Sequence, residues 1–125
     1  MSDTRFAVIV VSAENCPACA VLMNDISRNQ EAFAEARATM IAAVWCNNID
    51  RSDCDFTIDE SVAVAAEEGW PTDRWYVTND KEGYLRPHFS DAFPTVIVVR
   101  LFDMQTVSLD PVPSIVSLLT VLDTQ

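Results

Sequence analysis

Residues 6–11, Phe-Ala-Val-Ile-Val-Val, form an unbroken apolar and largely β-branched run. A short continuous run of this kind, bounded by polar residues, reads as a strand buried on both faces. Beyond residues 12–15, Cys16-Pro17-Ala18-Cys19 opens a stretch in which Leu22, Ile26 and Phe33 fall roughly on one face at helical spacing, to about Arg37. Pro17 suits the first helical turn, where its missing N–H costs nothing. A second apolar run at residues 40–46 then makes the unit strand, helix, strand, which implies a parallel crossover and an α/β fold.

The rest of the chain extends that frame. Residues 47–55 are polar and read as a loop, and residues 61–68 as a helix begun near Asp59 and stopped by Gly69 and Pro71. Residues 75–78 suit a short extra strand inside an irregular segment, 70–92. Residues 95–101 form another core strand, residues 102–104 a turn, residues 105–109 a return strand and residues 114–122 a closing helix. With 125 residues the chain is expected to make a single domain over 1–125.

Charge limits the partners. Eight cations face nineteen carboxylates, for a net charge of −11, and Lys81 is the single lysine. No basic stripe exists to track phosphates, so neither nucleic acid nor a membrane surface is an expected partner. Neither Gly69 nor Gly83 has a glycine neighbour, which excludes a Gly-rich phosphate loop. Nothing in the first residues has the form of an export leader, and a cytoplasmic setting is expected. The acidic groups Asp50-Arg51-Ser52-Asp53 and Glu67-Glu68 lack a metal-loop pattern and are read as solvated.

Chemistry concentrates on Cys16 and Cys19. Two cysteines three apart at a helix start can close a small disulfide ring. The first thiol lies where backbone N–H groups favour its thiolate, and the second lies deeper. Zinc sites use the same spacing, but a pair that leaves a buried strand and opens a helix suits redox exchange better.

At these residues the sequence resembles the thioredoxin superfamily. Val-Val-Ser-Ala-Glu-Asn-Cys16-Pro-Ala-Cys19 is similar to that family's strand, short loop and active-site helix. Phe93-Pro94-Thr95, followed by a strand, hairpin and terminal helix, is similar to the segment that begins at its cis-proline. The resemblance implies a thioredoxin-like fold, a central mixed β-sheet flanked by helices, with an insertion at about residues 70–92. It implies a thiol–disulfide oxidoreductase acting on protein disulfides, with Cys16 as nucleophile and Cys19 as resolving thiol. Pro94, with Phe93 and Thr95 beside it, becomes the substrate-binding segment. Partners would be protein thiols or disulfides and a reductase or thiol donor, with no bound cofactor and no metal.

Several positions depart from thioredoxin itself. Where that protein carries a buried acid in the strand before its cysteines, this chain has Val10; where it has a tryptophan before the first cysteine, this chain has Asn15. Between the cysteines stands Pro-Ala rather than Gly-Pro, and Phe93 is bulkier than the usual residue. A thioredoxin-fold interaction module with little redox activity, a glutaredoxin-like protein and a zinc-binding domain are the other readings. Too few cations for glutathione and no Gly-Gly-Asp after the late strand weigh against glutaredoxin.

Cys46 and Cys54 form a possible second pair, read as free cysteines, a structural disulfide or a relay to the first pair. The lone His88 is read as a surface or packed residue, with tuning of a thiol as its sharper role. Trp70, Trp75, Tyr76, Phe89 and Phe93 are expected to form a small core within the insertion, or an apolar partner face. Because no Lys or Arg lies between Phe6 and Asn24, Cys16 is expected not to be strongly acidic, which leans the pair toward reduction.

Overall fold

The structure, a computed structural model, describes residues 4–13, 16–45, 57–79, 94–110 and 114–124. Its elements run β1 (Phe6–Ala13), α1 (Pro17–Ser27), α2 (Gln30–Glu35), β2 (Ala38–Trp45), α3 (Ile58–Glu67), β3 (Tyr76–Asn79), β4 (Thr95–Arg100), β5 (Gln105–Asp110) and α4 (Ile115–Thr124). Five strands form one sheet in the order β3-β2-β1-β4-β5. The central β1 runs parallel to β2 and antiparallel to β4, while β3 is parallel to β2 and β5 antiparallel to β4.

This order has a mechanical consequence. The chain steps from β1 to β2 to β3 in one direction across the sheet, and right-handed crossovers then put α1, α2 and α3 on one face. Val8 and Val10 of β1 meet Leu22, Met23 and Ile26 of α1, Phe33 of α2, Ala65 of α3 and Leu118 and Leu122 of α4 in one core. The alternate residue Val11 points to the other face, with Ala43 and Ile97. Both faces of β1 are buried, as its unbroken apolar run requires.

The helix expected from Pro17 to Arg37 is two helices. Ser27 Oγ donates to the Asn24 carbonyl at 2.8 Å and Asn29 Nδ2 to the Asp25 carbonyl at 2.7 Å. These side chains compete with the backbone ladder, and the helix stops and restarts. α3 begins one turn before the expected Ser61, because Thr57 and Glu60 form a reciprocal capping box. The short strand expected at residues 75–78 is β3, one residue later, at the edge of the sheet.

The expected private core of the insertion is corrected in part. Trp70 is buried in the main core, Trp75 packs against it, and their rings lie 5.0 Å apart. Trp75 also meets Phe33 edge-on at 6.1 Å, and Trp70 Nε1 donates to the Tyr76 carbonyl at 3.1 Å. The reason is topological: β3 pairs with β2, so the indoles fall over the common helix layer. Tyr76 itself faces solvent, and Phe89 and Phe93 lie outside the described residues.

Candidate active site

Chemistry is positioned at the C-terminal end of β1, where a parallel strand hands the chain to a helix. Cys16 is the N-cap of α1, and its Sγ accepts a hydrogen bond from the Cys19 N–H at 3.2 Å. A sulfur in that role satisfies one of the free N–H groups at the helix start, the same donor that favours a thiolate. Pro17 occupies the first helical position and no acidic residue stands in the first turn.

Cys16 and Cys19 are joined as a disulfide, with Cα atoms 5.2 Å apart. The two sulfurs have unequal surroundings. Cys16 is partly exposed, flanked by the exposed Pro17 and Ala18, whereas Cys19 is fully buried on the helix face that also carries Met23 and Ile26. Val21, one turn on, is 63% exposed and extends an apolar lip beside the outer sulfur.

β4 approaches the same end of β1. Thr95 is opposite Val11 in the antiparallel register, so the buried Pro94-Thr95 step enters the sheet beside the strand end that leads to Cys16. Phe93, Cys46, Cys54 and His88 lie outside the described residues. A groove of about 860 Å³ lined by Arg5, Arg37, Leu119 and Asp123 lies at the opposite end of β1 and holds no nucleophile.

One residue at the site corrects the sequence reading. Glu67 is exposed as expected, but Glu68 is only 9% exposed. α3 ends in a Schellman turn: the Trp70 N–H bonds the Ala65 carbonyl at 2.9 Å and the Gly69 N–H bonds the Ala66 carbonyl at 3.1 Å. Gly69, at φ +94°, lies against Asn24 of α1, and this turn swings the preceding side chain inward. Glu68 Oε1 accepts a long hydrogen bond, 3.5 Å, from the buried Ser12 Oγ of β1. Glu68 Oε2 is buried without a hydrogen-bond partner. Burial is the main cause that raises the Glu68 carboxyl from 4.5 to about 7; the Ser12 hydrogen bond opposes this and the like charge of Glu67 adds to it. The available signal in the sequence was Gly69, which marks a turn that can redirect its neighbour, but it does not say which way.

No family model matches the chain, and no curated protein matches it. Solved structures do. A thioredoxin-like protein from Aeropyrum pernix superposes with a TM-score of 0.75 at 17% identity, over 98% of this chain and 79% of that one. A secreted Mycobacterium tuberculosis disulfide oxidoreductase, homologous to Escherichia coli DsbE, gives 0.64 at 17% identity over 99% and 85%. Peroxiredoxin Q of Xanthomonas campestris gives 0.68 at 12% identity over 97% and 79%. The chain has the thioredoxin-like fold, with a Cys-x-x-Cys disulfide at the start of its first helix.

Proposed function

We propose that this protein is a thiol–disulfide oxidoreductase that exchanges disulfides with protein substrates through Cys16 and Cys19. The observation that carries this reading is the asymmetric pair: an outer sulfur at a helix N-cap, held by the Cys19 N–H, and an inner sulfur fully buried one turn below. In the reducing direction the Cys16 thiolate attacks a substrate disulfide and expels one thiolate. Cys19 then attacks Cys16, closes the ring and releases the second. A dithiol donor reopens the ring. The Pro94-Thr95 step supplies backbone for an incoming extended segment, and the exposed Pro17, Ala18 and Val21 supply apolar contact.

Two relatives in fold, a disulfide oxidoreductase and a peroxiredoxin, are thiol-based redox proteins by name, which supports the same chemistry here. The rival reading as an interaction module loses one of its supports, because Trp70 and Trp75 lie in the main core. The test is dithiothreitol-driven reduction of a protein disulfide. Wild-type protein is expected to accelerate it, Cys16→Ser to return it to the uncatalysed rate, and Cys19→Ser to accumulate the mixed disulfide. Wild-type turnover indistinguishable from that of Cys16→Ser sinks the reading.

A further inference from the structure

We propose that Glu68 is the proton acceptor for Cys19 when the mixed disulfide is resolved, a role that rests on the exchange chemistry proposed above. A thiol as buried as Cys19 cannot hand its proton to bulk water directly, and only its thiolate attacks. Among the described residues, Glu68 is the one charged side chain that is buried. Its position works against the fold in three ways. It is desolvated, it leaves Oε2 without a hydrogen-bond partner, and it stands at the C-cap of α3, where the helix dipole repels an anion.

Three contacts set where that carboxyl lies. Ser12, its hydrogen-bond donor, is on the face of β1 shared with Val8 and Val10, which α1 covers, and only residues 13–15 separate it from Cys16. Gly69 holds the α3 turn against Asn24 of α1. Cys19 enters the same layer from above, on the buried face of α1. The strand position where thioredoxin carries its acid is filled by Val10, fully buried among hydrophobic side chains. The carboxyl here arrives from a different element. Of the groups facing it, Glu67 is a second carboxylate on its own helix, whereas Ser12 of β1 and Asn24 of α1 are neutral.

The step balances as follows. Cys16 has displaced one substrate thiolate and is bonded to the other substrate sulfur. The Cys19 S–H proton passes to the Glu68 carboxylate, directly or across one water. The Cys19 thiolate attacks Cys16 Sγ, the Cys16–Cys19 bond forms, and the bond from Cys16 to the substrate sulfur breaks. The departing thiolate takes up the proton from Glu68. Two electrons have moved from the cysteine pair to the substrate disulfide.

The test is a single-turnover reaction of reduced protein with dithiobis(nitrobenzoate), which reports two thiolate releases in turn. The first follows attack by Cys16 and the second follows resolution by Cys19. In Glu68→Gln the first release is expected within about twofold of wild type. The second is expected to slow by about tenfold or more and to lose its rise through neutral pH, with Glu68→Asp partly restoring both. A second release unchanged in rate and pH profile overturns the proposal, as does equal slowing of both releases, which marks a structural role. No first release from folded wild type sinks the exchange reading itself. Two titrations need no turnover. In a Cys16→Ser background, Glu68→Gln is expected to lower the Cys19 thiol pKa, read by thiolate ultraviolet absorbance; superimposable curves overturn the proposal. Carbon-13 titration of the Glu68 carboxyl, which needs no Glu68 variant, is expected to shift between oxidised and reduced protein; identical curves again overturn it.

Discussion

An ionisable side chain at the wrong end of a helix, buried and half-satisfied, is a stability cost that few surfaces of a small protein carry. For Glu68 the sign follows from its raised carboxyl. The folded form holds its proton up to about pH 7, whereas the unfolded chain releases it near 4.5. Its contribution to stability is therefore fully present below pH 4.5 and is lost as pH rises through 7. Glu68→Gln keeps the shape and the acceptor for Ser12 but removes the charge. The variant is expected to match wild type near pH 4.5 and to exceed it by about 1–3 kcal/mol at pH 8, measured by urea unfolding of the oxidised protein. Equal stability across that range refutes the burial argument. A site that gains stability when its acid is neutralised is one where the charge is held for chemistry.

At the scale of elements, the end of α3 decides whether that carboxyl faces the core or the solvent. Gly69 sits in the left-handed region, and a Cβ there would meet Asn24 Oδ1 at 3.1 Å and Asn24 Cα at 3.4 Å. The amide oxygen can swing away, but the backbone atom cannot, and the positive φ alone costs an L-residue about 1 kcal/mol. Gly69→Ala is expected to destabilise the protein by about 1–2 kcal/mol, measured by thermal or urea unfolding. It is also expected to weaken the influence of Glu68 on Cys19, because the turn holds both to α1. A neutral or stabilising outcome would mean that the turn relaxes freely. The start of α1 works in the opposite sense. There a sulfur rather than an oxygen caps the helix, so the group that stabilises the element in one redox state is the group that reacts in the other.

At the scale of the whole molecule, the net charge of −11 sets a field that substrates meet before any contact. Between low and physiological salt the screening length falls from about 30 Å to about 8 Å. Exchange with a basic peptide disulfide is expected to slow as salt rises, and exchange with an acidic peptide of the same length to quicken. Stopped-flow rates for the two peptides check this, and equal salt dependence would remove net charge from the account of partner choice. The same field opposes a thiolate at Cys16, against the local N–H donor, and keeps the expected lean toward reduction.

How much of this was legible in the chain follows from the range of the interactions involved. The buried β1 strand, the Cys16–Cys19 ring at a helix start, the late hairpin and the α/β class were readable, because periodicity, capping and ring closure act within a few residues. The break at Ser27–Asn29 and the Thr57–Glu60 box are equally local, yet each depends on which way a short polar side chain turns. The placement of Trp70 and Trp75 in the common core depended on β3 pairing with β2 rather than closing on itself. Glu68 is the clearest divide. In the sequence it is one of two adjacent glutamates with nothing to separate them. Only the packing of the Gly69 turn against α1, between residues far apart in the chain, buries one carboxylate and leaves its neighbour in water.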